Sequence, residues 1–154
     1  MEPSPRARDP GEPVLDHIAI AVPDLAAALL FWRDQLGAIP AGTEEVATEK
    51  VRVAFLDTGI PTELLEPTAP DSPIARFLAR GGKGLHHVAY RVEDIDAALA
   101  RLKGSGVRLI HESAVPGSRG TRVAFIHPAA TGGVLVELVE HAPEGARGGK
   151  GKRE

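Results

Sequence analysis

Two histidines and two glutamates stand at matching places in a chain that repeats itself. His17 lies in Leu15-Asp16-His17-Ile18-Ala19-Ile20-Ala21-Val22, and His87 lies 70 residues later in Leu85-His86-His87-Val88-Ala89-Tyr90. Glu63 opens Glu63-Leu64-Leu65-Glu66, and Glu137 opens Glu137-Leu138-Val139-Glu140 at an offset of 74. The chain has no cysteine, so any metal is held by nitrogen and oxygen donors alone. A carboxylate set among apolar strand residues is expensive to bury without a proton or a cation beside it. One divalent ion shared by His17, His87, Glu63 and Glu137 would compensate both acids. A single histidine in a strand is ordinarily a packing residue; the recurrence of all four groups in a duplicated unit is what selects a site.

Other polar residues carry weaker signals. His127, in the His127-Pro128 loop before the Glu137 strand, is a substrate-lining candidate, with His111 behind it. Ser118 and Arg119, in the Gly117-Ser118-Arg119-Gly120 loop, are candidates for meeting an anionic substrate group through backbone donors and a guanidinium. Glu44, Glu45 and Glu49 are loop acids that could supply an acid in place of Glu63, although a loop glutamate is more often simply exposed. Glu66 and Glu140 point away from their neighbours Glu63 and Glu137 and read as solvated. Strand alternation sets His86 on the opposite face from His87, where it corresponds to Asp16 and reads as structural, with a role in orienting a ligand left open.

The elements that carry these residues repeat as well. Arg52-Val53-Ala54-Phe55 recurs as Arg122-Val123-Ala124-Phe125, again 70 residues on. In the first half, Val14 to Val22 alternates as a strand, with His17, Ala19 and Ala21 on one face and Ile18, Ile20 and Val22 on the other. Asp24 then reads as a helix N-cap, Leu25, Leu29, Leu30 and Trp32 as the apolar stripe, and Gly37 as the stop. Strands follow, among them VRVAFL and TELLEP. In the second half His86 to Val92 is the strand, Asp94 caps a helix through Lys103, and Gly104 ends it. The expected fold is α+β: two βαβββ modules, residues 13–67 and 84–141, whose sheets meet face to face in a cupped, barrel-like mixed sheet. Ser72 and Pro73 begin a connecting helix over 72–81. Residues 1–12 and 142–154 are expected as disordered tails.

At 154 residues the chain fits one domain, because half that length buries too little surface to stand alone. A net charge of -3, without a basic stretch interleaved with aromatics, argues against nucleic acid as a partner. No apolar run approaches a membrane span and the first twelve residues lack a secretory core, so the cytoplasm is the expected location.

Paired βαβββ modules with a His/Glu set resemble the vicinal oxygen chelate superfamily, the glyoxalase-like proteins, over residues 14–141. Gly84-Leu85-His86-His87-Val88-Ala89, Asp71-Ser72-Pro73-Ile74-Ala75 and, above all, His127-Pro128 followed by Gly132-Gly133-Val134-Leu135-Val136-Glu137-Leu138 resemble the methylmalonyl-CoA epimerase family. That resemblance implies an isomerase of propionate metabolism acting on a CoA thioester. It implies 1,1-proton transfer at C2 through an enolate, a divalent ion as Lewis acid with cobalt the expected metal, and a homodimer. Zinc, nickel and manganese suit the same donors. Some family members place a catalytic glutamate in the strand corresponding to VRVAFL and a glutamine at position 63; this chain has Val53 and Glu63 there. Glu137 and Glu63 are accordingly expected to exchange the proton roles. The alternatives are a glyoxalase I-like lactoylglutathione lyase and a metal-free small-molecule-binding protein of the same fold.

Overall fold

The computed structural model of the protein describes residues 6–9 and 11–143. Of the expected tails, the first falls partly within that range, with Arg6 donating to Glu12 at 2.9 Å. The second lies outside the described residues from position 144 on.

Strand β1 (Val14–Ala21) leads to Asp24, whose carboxylate accepts from the Ala27 amide at 3.0 Å and starts α1 (Leu25–Leu29). The helix continues as a π-type segment over Leu30–Gln35, where the Leu36 amide donates to the Phe31 carbonyl at 2.8 Å. This wider turn changes the stripe expected from a 3.6-residue period. Leu25, Ala28, Leu29 and Trp32 pack on the sheet, and Leu30 is left 57% exposed. Gly37, at φ +84°, supplies the left-handed exit. Strands β2 (Ile39–Val46), β3 (Val51–Asp57) and β4 (Thr62–Pro67) complete the first unit.

The connecting helix α2 spans Pro73–Ala79, shorter than 72–81, with the Ser72 hydroxyl accepting from the Ile74 amide. Strand β5 (Gly84–Arg91) begins ahead of His86, and α3 (Ile95–Gly104) is capped by Asp94. Gly104 lies inside the last turn of α3, and Gly106, at φ +78°, makes the exit instead. The second unit ends with β6 (Val115–Pro116), β7 (Arg122–Ile126) and β8 (Val136–Glu140).

All eight strands form one sheet in the order β2-β3-β4-β1-β5-β8-β7-β6. Each half uses the same pairing, with β1 parallel to β4 and β5 parallel to β8. The halves join edge to edge through the antiparallel β1–β5 pair, not face to face. That seam leaves a single mixed sheet, curled so that its concave face holds the polar residues of interest. Helices α1 and α3 cover the other face, over Leu56 and Leu64 in one half and Ala124, Ile126 and Leu138 in the other. Leu56, Leu64 and Ile95 are among the most deeply buried side chains, each contributing about 1.5–3 kcal/mol by leaving water.

Glu66 and Glu140 are not the solvated residues expected from their strand positions. Glu66 Oε2 accepts from the Leu25 amide at 2.6 Å, and Glu140 Oε2 accepts from the Ile95 amide at 2.8 Å. Arg52 and Arg122 hold the second oxygens, at 3.1 and 3.4 Å. Each acid thus satisfies an orphan donor at the positive end of its own module's helix and locks that helix to the last strand.

Candidate functional site

The sheet register explains how residues far apart in sequence converge. Across β3, β4, β1 and β5 the partners run Phe55, Glu63, Ala19, His87; across β7, β8, β5 and β1 they run Phe125, Glu137, Ala89, His17. The duplication therefore produces two copies of one row, Phe-Glu-Ala-His, inverted about the β1–β5 seam. Ala19 and Ala89 are both 0% exposed, and their small side chains leave room between each carboxylate and the imidazole of its row.

At the seam, His17 Nε2 lies 3.4 Å from His87 Nε2, 3.4 Å from a Glu137 oxygen and 3.4 Å from a Glu63 oxygen. His87 Nε2 lies 3.7 Å from the other Glu137 oxygen. His17, His87 and Glu137 each offer a ligand atom within 4.8 Å of one another. Glu63 joins this trio through His17. All four residues are buried, His87 behind the cleft surface that the other three line.

Burial pushes the Glu137 carboxyl up to about 8, against the pull of His17, and raises Glu63 in the same way. Burial also pushes His17 down, but a hydrogen bond from its Nδ1 to Asp16 and the two facing carboxylates outweigh it, so its net shift is upward. Burial, then the neighbouring His17 and His86, holds His87 well below the ordinary histidine value.

This donor set fits a divalent ion. An ion about 2.1 Å from its donors sets tetrahedral neighbours about 3.4 Å apart, which is the spacing of the polar atoms around His17 Nε2. Two buried carboxylates among imidazoles are the arrangement that a cation relieves. The chain's donors, two imidazoles and two acids, suit a catalytic ion with coordination left for substrate.

The surrounding cleft has a volume of about 400 Å³ and is mostly apolar, with Val53, Leu65, Ile74 and Val123 among its walls. Ser118 and Arg119 line it. Arg119, at φ +53°, lays its guanidinium 3.6 Å over the Phe55 ring, and its amide donates to Glu44 at 2.9 Å. Glu44 is thereby engaged outside the cleft lining, Glu45 sits 3.8 Å from Arg52, and Glu49 is the loop acid that does line the cleft. His127 stands outside the lining: its Nδ1 accepts from the Ala129 amide and caps the Pro128–Ala130 turn. His111 lines the cleft instead, accepting from the Phe125 amide at 3.0 Å.

Sequence reasoning missed Arg76, His141, Asp16 and His86 as cleft residues. Arg76 of α2 faces the cleft, as does His141 just past β8. Asp16, expected on the far face of its strand, also turns inward and lies 2.6 Å from His17 Nδ1. No repeat marks Arg76 or His141. Asp16 escapes the two-residue alternation because the β1–β5 register is irregular beside it.

A family model described as Glyoxalase/Bleomycin resistance protein/Dioxygenase superfamily matches residues 16–125, and the chain belongs to that superfamily. Methylmalonyl-CoA epimerase, mitochondrial, of Bos taurus is 42% identical over 126 residues, covering 80% of this chain and 72% of the relative. Ethylmalonyl-CoA/methylmalonyl-CoA epimerase of Cereibacter sphaeroides is 42% identical over 127 residues, covering 80% and 95%. The crystal structure of methylmalonyl-CoA epimerase from Mycobacterium tuberculosis matches with a TM-score of 0.79 at 42% identity, over 84% of this chain and 89% of that one. Within the superfamily the chain groups with the methylmalonyl-CoA epimerases.

Proposed function

We propose that this chain interconverts the R and S epimers of methylmalonyl-CoA by moving the C2 proton from one face to the other through an enolate. The observation that carries the reading is the pair of inverted rows, which brings a buried carboxyl from each half to the same imidazole. Inversion without turning the substrate over needs one group to take a proton and another to return it. In the metal-free protein burial pushes the Glu137 carboxyl up to about 8, so its carboxylate is a stronger proton acceptor than an exposed one. Glu63, raised in the same direction, is its counterpart and takes the opposite role in each direction of turnover. His17, His87, Glu63 and Glu137 would hold the divalent ion, cobalt in our reading. Such an ion supplies Lewis-acid stabilisation of the charge that develops on the thioester oxygen. The apolar cleft walls exclude water from the carbanionic carbon, and Ser118 and Arg119 are placed at the cleft to receive an anionic part of the CoA thioester.

Residues 13–67 and 84–141, joined by the connecting segment, make one vicinal oxygen chelate domain in this reading. A cytoplasmic homodimer completes it. Leu30, Phe31, Leu36 and Ile39, all at least half exposed around the end of α1 and the start of β2, form apolar surface suited to a second copy. No described helix is long and apolar enough to cross a membrane.

The test is a pair of assays on the purified protein loaded with cobalt. Epimerisation of a single methylmalonyl-CoA epimer is expected, with no turnover of methylglyoxal plus glutathione. The reverse outcome would replace the epimerase with a lyase. Light scattering on the same sample should give twice the chain mass; the mass of one chain would remove the dimer.

A further inference from the structure

The two imidazoles at the seam are held from behind by residues that alternation alone would send to the other face. In the β1–β5 register Leu15 pairs with Tyr90 and His17 with Ala89, so Asp16 is an extra residue on β1. Ala19 pairs with His87 and Ile20 with Leu85, so His86 is an extra residue on β5. Both are β-bulges, a device that re-aims a side chain by interrupting the ladder. Each bulged residue turns back on the ligand-type histidine that follows it. Asp16 Oδ2 accepts from His17 Nδ1 at 2.6 Å, and His86 Nδ1 meets His87 Nδ1 at 2.9 Å. The duplication has thus kept the backbone device and changed the chemistry it delivers.

The first of these contacts has a further support. His141 Nε2 lies 2.5 Å from Asp16 Oδ1, reaching past the end of β5 from β8 to β1, so both oxygens of the Asp16 carboxylate are engaged by imidazoles. The Asp16 side chain is 14% exposed and that of His141 23%. On the other side, His87 is backed by the His86 ring and not by a carboxylate.

Resting on the reading of His17 as a metal ligand, we propose that Asp16, held by His141, is a positioning residue that fixes the tautomer and ring orientation of His17. The carboxylate keeps a proton on Nδ1 and leaves the Nε2 lone pair facing Glu63, Glu137 and His87. A carboxylate behind one imidazole and an imidazole behind the other make the two nitrogen donors unequal, with His17 the stronger. The asymmetry sits on the seam between the two rows, so a site built by duplication treats its two sides differently.

Cobalt(II) titration of the full chain, followed by visible absorption, tests this. Asp16→Ala should weaken cobalt binding about 10–100-fold and shift the visible bands. Asp16→Asn, whose amide oxygen still accepts from Nδ1, should recover part of the affinity. His141→Phe should move the spectrum in the same direction by less. A merely structural role would lower thermal stability and leave the spectrum alone. Far-UV circular dichroism identifies any variant that fails to fold; if Asp16→Ala does, Asp16→Asn and His141→Phe carry the test. Wild-type affinity and spectrum in those variants, with binding abolished in His17→Ala, would overturn the proposal and leave the metal site standing. Absence of cobalt binding by the unaltered chain would overturn both.

Discussion

Loading the site with metal should expel protons, and the number follows from the burial of Glu137. Its carboxyl is pushed up to about 8, so at pH 7 about nine-tenths of the metal-free protein holds that proton, and an ion can use the carboxylate only after it leaves. Proton competition at this residue alone therefore weakens apparent metal affinity about tenfold at pH 7 and about a hundredfold at pH 6. His17, also raised, adds to the release. Because the folded value lies above the unfolded 4.5, folded metal-free protein binds the extra proton. Its contribution to stability is fully present below 4.5 and is lost as pH rises through about 8. Bound metal should remove that loss. Calorimetric titration of metal-free protein with cobalt(II), in buffers of different ionisation enthalpy, counts the protons directly. We expect about one or more released at pH 7, an affinity rising about tenfold from pH 6 to pH 7, and a count lower by about 0.9 in Glu137→Gln. Release of no protons, or the same count in Glu137→Gln, would refute the assignment of a buried, protonated Glu137 to the metal site.

Glu63→Gln should keep bound cobalt yet lose about 10²–10⁴-fold in turnover, since the amide cannot carry a proton; full turnover with metal bound would place the second acid elsewhere, Glu49 first among the cleft residues. Ala89→Val puts two methyl groups at a fully buried position between Glu137 and His17, and is expected to cost about 1–3 kcal/mol in stability and to weaken cobalt binding; a variant that binds cobalt like the wild type would show that the rows do not close on the ion. Glu66→Ala removes the acceptor for the Leu25 amide and should lower stability by about 1 kcal/mol, ~3 °C in Tm, without changing metal affinity; an unchanged Tm on thermal melting would show that this cap contributes nothing.

The internal repeat made much of this architecture legible. The two Asp-capped helices, the ligand-type His and Glu of each half and their positions relative to Ala19 and Ala89 follow from aligning the chain with itself, because a duplicated unit must build the same register twice. What stayed hidden depends on departures from regular periods. The π-type turn moves Leu30 off the packing stripe, and the two bulges bring Asp16 and His86 to their neighbouring histidines; neither irregularity leaves a mark in the hydrophobic pattern. Glu66 and Glu140 looked solvated because period-2 alternation gives a side chain's face and not the helix end waiting there. His127 looked better placed than His111 because sequence shows loop order, while the Leu109–Ile126 bridge that draws His111 toward Phe125 is a tertiary contact.

The central claim is that a proton leaves and returns to C2 of methylmalonyl-CoA at an ion held by His17, His87, Glu63 and Glu137. Deuterium loss from C2-labelled substrate, measured by mass spectrometry in ordinary water, reports that event directly. We expect rapid washout by the cobalt-loaded protein, its abolition after chelation and its return on adding the metal back. Washout that persists unchanged in metal-free protein, or none from the loaded one, would contradict the account.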